Sequence, residues 1–248
     1  MRLQFLGSGD AFGSGGRFNT CFLVTASATR FLIDFGATSL VAMQRAGIDP
    51  NAIDTIFITH LHGDHFGGLP FLILHAQFIG RREKPLTLAG PPGLETRLMQ
   101  AMEVFFPGSA VWERGFALDI LELEAEARAI VNGVTVTPYS VQHPSGAPSY
   151  ALRFELDGKI LTYSGDTEWT EALVPAGRDA DLFICEAYTY EKAVRTHMAF
   201  QKLRSHLAEI RPQRMIITHM SQDMLGRDLS CDLPQGCAPA EDGMVVEI

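Results

Sequence analysis

Residues 59–70 read THLHGDHFGGLP and place His60, His62, Asp64 and His65 within six positions, followed by Gly67 and Gly68. A solvated turn has no use for that density of imidazole. An apolar core cannot hold it unless something takes up the lone pairs. His60 and His62 are two apart, so in an extended segment both rings project to the same side and can grip one ion. Asp64 and His65 lie one turn further on, face elsewhere and suit a second ion. Imidazole with carboxylate matches Zn²⁺, Mn²⁺ or Fe²⁺ rather than Ca²⁺. Gly63, Gly67 and Gly68 let the backbone turn tightly around such a site. A histidine-rich surface loop is the bland alternative, and the further candidate ligands downstream count against it.

Working outward, DTIFITH (54–60) reads as a mostly apolar strand, buried on both faces, that delivers His60 at its C-terminal end. KILTYSGD (159–166), DLFICEA (181–187) and RMIITH (214–219) repeat that plan and end on Asp166, Glu186 and His219. RLQFL (2–6), CFLVT (21–25) and RFLID (30–34), the last ending on Asp34, are strand-like, as are PLTLAG, VTVTPYSVQH (134–143), SYALRFEL (149–156) and GMVVEI. Helices are expected at 38–46, 69–80, 91–106 and 197–210, the last with Phe200, Leu203, Leu207 and Ile210 on one face. The 69–80 helix is apolar enough to be buried, with His75 in the core. His206 has no assigned role. The pattern is an α/β (α+β) chain with polar groups at strand C-termini, where layered folds of this class put their sites.

The chain has 248 residues and no linker-like stretch, so one domain over 1–248 is expected. Its 20 Lys and Arg against 29 Asp and Glu leave a net charge of −9, which argues against broad electrostatic capture of nucleic acid. No signal-peptide core or membrane-length apolar run occurs, so a cytoplasmic protein that does not enter a membrane is expected. Cys21 and Cys185 sit in apolar runs and read as small buried hydrophobes. Cys231 and Cys237 read as free loop thiols.

HLHGDHFGGLP resembles the H-x-H-x-D-H signature of the metallo-β-lactamase superfamily. More narrowly, it is similar to the H-x-H-G-D-H-x-x-G-L-P motif of its ribonuclease Z branch. Further resemblances follow in order along nearly the whole chain. FLGSGDAFGSGGRFNT (5–20) is similar to the branch's N-terminal glycine loop, FLIDFG (31–36) to its early aspartate motif and GPPG (90–93) to its glycine-proline turn. HPSGAPSYALRF (143–154) resembles its third-histidine motif, YSGDT (163–167) its bridging-aspartate motif and IITHMS (216–221) its last-histidine motif.

The resemblance implies a four-layer αββα metallo-β-lactamase sandwich with two divalent metal ions, zinc first and manganese or iron as alternatives. His60, His62 and His143 would hold one ion and Asp64, His65 and His219 the other, with Asp166 bridging them. Taken singly, His143 reads as a surface histidine, Asp166 as a helix cap or turn residue and His219 as a satisfied core histidine; as an ordered set they read as ligands. Asp34 is expected to orient the histidine loop by hydrogen bonds, although a strand-end turn residue is the alternative.

Asp64, Glu186 and His197 are the expected catalytic residues. The branch carries a similar Glu and a similar His in H-E-A-T-like and H-S-T-like motifs. Here the stretches are CEAY (185–188) and HMA (197–199), with the Glu and His kept and the motif's first His and final Thr absent. A phosphodiester leaves as an alkoxide that needs a proton, and a histidinium can give one. A helix start would depress the His197 pKa and a Glu186 partner would raise it. Residues 7–20 either bring backbone N–H groups and Arg17 to a phosphate or form a plain glycine turn.

Ribonuclease Z enzymes that mature tRNA ends carry a Gly/Pro-rich, often basic arm between the glycine-proline turn and the third histidine. Residues 93–142 fill that gap with the acidic LELEAEARAI (121–130) and no lysine. The expected function is that of an arm-less, ribonuclease Z-like dinuclear hydrolase, a phosphodiesterase acting through a metal-bound hydroxide on small phosphodiesters. A lactone or other ester hydrolase on the same metals is the runner-up, and a metal-dependent binding protein a distant third. A tRNA precursor is a disfavoured substrate, and a homodimer is compatible with the apolar, Met-containing stretches.

Overall fold

The computed structural model describes residues 1–248. In chain order the strands are β1 (Arg2–Gly7), β2 (Cys21–Thr25), β3 (Arg30–Ile33), β4 (Thr55–Phe57), β5 (Leu86–Gly90), β6 (Leu118–Glu122), β7 (Ala129–Val131), β8 (Val134–Val141), β9 (Ser149–Leu156), β10 (Lys159–Tyr163), β11 (Leu182–Glu186), β12 (Met215–Thr218), β13 (Cys237–Pro239) and β14 (Val245–Glu247). The helices are α1 (Ser39–Arg45), α2 (Gly63–Phe66), α3 (Leu69–Phe78), α4 (Leu94–Phe105), α5 (Leu173–Gly177), α6 (Phe200–Ser205), α7 (Leu207–Ile210) and α8 (Gln222–Leu225).

One sheet runs β14-β1-β2-β3-β4-β5-β6 and the other β13-β12-β11-β10-β9-β8-β7. β3 through β6 are parallel, as are β10 through β13, and the remaining neighbours are antiparallel. Strand alternation explains the layering. Phe31 and Ile33 of β3 join the core between the sheets, while Leu32 joins the layer with Leu69, Leu72 and Leu98 of α3 and α4. On the second sheet Leu182 and Ile184 face inward, while Phe183 and Cys185 pack with Leu173, Phe200 and Ile210. The strands are apolar on both faces because both faces are covered. The result is the expected four-layer αββα arrangement.

Phe57 crosses the inter-sheet core, 5.0 Å from Phe154 and 5.3 Å from Phe31 between ring centroids, both edge-to-face. Phe57→Ala is expected to cost about 3–5 kcal/mol of unfolding free energy, measured by denaturant titration.

Parallel pairing brings the C-terminal ends of β3 and β4 to one edge, and those of β10, β11 and β12 to one edge of the other sheet. The polar residues at those ends therefore meet across the sandwich. Some elements differ from expectation. β6, β7 and β13 carry no sequence signal, because they are half-solvated or only three residues long. Cys237 accordingly opens a strand rather than lying in a loop; all four cysteines are free thiols. The 197–210 helix begins only at Phe200 and breaks at His206. α3 is not fully buried: Phe71 and Phe78 are exposed and His75 is half-buried. No helix is long and apolar enough to cross a membrane.

Candidate metal centre

Close backbone approaches build the site. Asp34 follows β3 at φ 58°, a left-handed conformation that is uncommon outside glycine. Its N–H donates to Phe57 O at 2.7 Å, while Phe35 N–H donates to His65 O at 2.6 Å. A Cβ on Gly36 would fall 2.1 Å from Asp64 O, so only glycine lets this loop lie against the histidine loop. His62 is extended and caps α2, which turns Asp64 and His65 away from it. Gly165, at φ 59°, passes so near Tyr150 O that a Cβ would sit 2.6 Å away, and Asp166 follows. His219 takes φ 57° with its N–H on Ser8 O at 3.2 Å. Two non-glycine residues in this region at one site mark strain held in place by the surrounding fold.

The side chains converge as the sequence reading expects. One group of potential ligand atoms comes from His60, His62 and His143, and a second from Asp64, His65, Asp166 and His219. Asp166 stands between them. Its Oδ2 lies 3.9 Å from Nε2 of both His60 and His143 and 3.3 Å from His219 Nε2, while its Oδ1 lies 3.3 Å from His65 Nε2. Asp64 Oδ2 is 3.3 Å from His65 Nε2 and 3.2 Å from His219 Nε2. The donor set passes a test of fit for divalent ions. His60 Nε2, His65 Nε2 and Asp166 Oδ1 are buried polar atoms without a hydrogen-bond partner, a costly arrangement unless a cation satisfies them.

Asp34 organises this loop. Its Oδ2 lies 2.7 Å from His65 Nδ1, and Thr59 Oγ1 donates to the same carboxylate at 2.8 Å. With that hydroxyl proton committed, the 3.0 Å contact makes His60 Nδ1 the donor to Thr59 Oγ1. Both rings are therefore turned with Nε2 toward the cluster. Asp34→Ala is expected to weaken divalent-metal binding about 10–100-fold, measured by chelator competition.

Burial favours neutral forms, and it lowers the pKa of His60, well below 6.5, and those of His62 and His143. These three rings present lone pairs. In the other group burial is outweighed. The His65 charge, with the hydrogen bond from His219, holds Asp64 below the usual carboxylate range, and the charges of His219 and His65 hold Asp166 well below it. Burial also opposes protonation of His219, but Asp166 first and Asp64 second lift it to about 9. A cation entering there displaces protons.

Glu186, the last residue of β11, is fully buried. Its Oε1 accepts from the N–H groups of Thr167 and Met198, and its Oε2 lies 2.9 Å from His197 Nδ1. The His197 ring stacks 4.6 Å from Tyr188 and lies 4.9 Å from His143. Burial opposes its protonation, but the Glu186 hydrogen bond and then the Glu186 charge raise its pKa above 6.5. One expectation is corrected: His197 does not open a helix, since α6 starts three residues later, so no helix start depresses it. Of the two readings of residues 7–20, the bonds favour the plain turn. Asp10 Oδ1 takes the N–H groups of Phe12 and Ser14, and Arg17 Nη1 donates to Ala240 O at 2.6 Å, so these groups are committed internally. The sequence reading passed over Thr59 and Thr196, whose oxygens fix the His60 and His143 rings; an ordinary threonine carries no signal of that role.

A His/Asp cluster at the edge shared by two sheets of an αββα sandwich defines a class, and comparisons agree with it. A ribonuclease Z from Methanosarcina acetivorans is 26% identical over 268 residues, covering 89% of this chain and 88% of that protein. Human tRNase Z, short form, superposes with a TM-score of 0.80 at 24% identity over 100% of this chain and 99% of its own. The metallo-β-lactamase-fold protein YhfI of Bacillus subtilis gives 0.80 at 18% identity over 99% and 98%. The chain is a hydrolase of the metallo-β-lactamase superfamily, similar to its ribonuclease Z branch. It belongs to the family described as Anti-Pycsar protein Apyc1, which matches residues 1–232.

Proposed function

We propose that the chain hydrolyses phosphodiesters, small ones in preference, with His60, His62 and His143 holding one divalent ion, Asp64, His65 and His219 a second, and Asp166 shared. Zinc is the first candidate. Such ions supply Lewis acidity and the means to ionise water near neutral pH. The carrying observation is the His197–Glu186 pair beside the cluster, at 2.9 Å. A phosphodiester's alkoxide leaving group needs a proton. Glu186 keeps the His197 Nδ1–H in place and favours the imidazolium, leaving Nε2–H to donate to that oxygen. Asp64 orients His65 and His219 through its Oδ2.

The preference for small substrates follows from the region between the glycine-proline turn and His143. It is taken up by α4, β6, β7 and β8. The net charge of −9 adds to this.

The test is hydrolysis of bis(p-nitrophenyl) phosphate beside a simple lactone, with the protein loaded separately with Zn²⁺ and Mn²⁺. Cleavage of the phosphodiester is expected, with tRNA precursors as the next substrate. Turnover of the lactone alone overturns the phosphodiesterase reading in favour of an ester hydrolase.

A further inference from the structure

We propose that Glu168 is a positioning residue that holds His143 and His197 in register with each other through the backbone of Thr196. The inference rests on the ligand and proton-donor assignments above and adds to them the device that ties the two together.

The segment before His197 turns back on itself, with a bridge between Val194 and His197 and a His197 N–H to Val194 O bond of 3.1 Å. Within it Thr196 takes φ 73°. A β-branched residue avoids that region, so its surroundings must hold it there. Two bonds do so. Thr196 N–H donates to Glu168 Oε2 at 3.2 Å, and Thr196 O accepts from His143 Nδ1 at 2.9 Å. In the second bond Nδ1–H donates to the carbonyl, which leaves the lone pair on His143 Nε2, the atom 2.9 Å from His62 Nδ1.

Glu168 is itself anchored to the strand end that carries His143. Its N–H donates to Gln142 O at 3.3 Å, and Gln142 N–H donates to Thr167 Oγ1 at 3.0 Å. Gln142 immediately precedes His143, and Asp166 lies two residues before Glu168. One carboxylate therefore sits where the segments bearing His143, Asp166 and His197 meet. Glu168 also shares with His197, Trp169 and Lys202 the wall of a cavity of ≈ 430 Å³ beside the site. Without the Glu168 bond, Thr196 can relax out of its left-handed conformation. The His143 ring then loses its acceptor and His197 shifts against Glu186.

The experiment uses the full chain and measures Zn²⁺ affinity by competition with a chromogenic chelator, with His143→Ala as reference. Melting of the metal-free variants checks folding. Glu168→Ala is expected to weaken Zn²⁺ binding about tenfold, at the low end for partners of metal-ligating histidines. It should also lower kcat for a phosphodiester with an alkyl leaving group more than it changes KM. Glu168→Gln keeps an oxygen acceptor for the Thr196 N–H and is expected to restore most of the affinity.

If His143→Ala weakens Zn²⁺ binding and Glu168→Ala does not, the positioning role is overturned and the ligand assignment stands. Equal loss in Glu168→Gln and Glu168→Ala also overturns it, because the acceptor then does not matter. If His143→Ala binds Zn²⁺ as the parent does, the ligand assignment fails and the inference falls with it.

Discussion

Asp166→Ala is expected to lower turnover of a phosphodiester by about two to three orders of magnitude, the scale on which a preorganised charged group acts. The residue is 2% exposed and its two oxygens reach four imidazoles, from His60, His65, His143 and His219, at 3.3–3.9 Å. It is the carboxylate whose oxygens lie within 4 Å of imidazole nitrogens from both ligand groups. Its removal leaves Asp64 as the carboxylate facing the Nε2 atoms of His65 and His219 and separates the two halves of the cluster. Metal content per chain, measured with activity, distinguishes the outcomes. Loss of about one ion with loss of turnover fits a shared ligand. Full metal content and near-parent turnover would remove Asp166 from the site.

His197→Ala should act selectively, depending on the leaving group. A phosphodiester with an alkyl leaving group is expected to lose about 10²–10⁴-fold in kcat/KM, the range of a positioned general acid. An ester whose leaving group is a stabilised phenolate needs little protonation and should lose far less. The pH dependence has a definite sign. The His197 pKa is raised above 6.5, because the Glu186 hydrogen bond and charge outweigh burial. The proton is therefore held below that raised value and lost as pH climbs through it, which gives a falling basic limb. Glu186→Gln removes the charge that raises the pKa and should move this limb to lower pH. A uniform loss across leaving groups, with an unmoved limb, would reduce His197 to a structural role.

Much of the site was legible because its residues sit where local rules place them. The extended conformation of His62 and the turn of α2 explain why His60 and His62 fall in a different group from Asp64 and His65, and spacing alone carries that information. Apolar runs ending on Asp166, Glu186 and His219 mark buried strands with polar tips. What was misread depends on neighbours remote in sequence. The helical periodicity of 197–210 hides a start at Phe200, because the bonds of Glu186, Glu168 and Val194 hold residues 196–198 in a non-helical path. The place of Arg17 stayed open between a ligand and a plain turn, because the Ala240 carbonyl that it bonds is 223 positions away.

By itself the sequence determined the layered α/β class, the strands that are apolar on both faces and the inventory of imidazoles and carboxylates at their ends. Those properties follow from side-chain period and from the cost of leaving apolar surface in water. Only the tertiary structure decided which lone pair each histidine turns inward, where Asp166 stands between the two groups and how Glu186 reaches His197. Those are settled by hydrogen bonds between segments distant in the chain, such as His65 with Asp34 and His143 with Thr196, which exist only once the strands of each sheet have assembled.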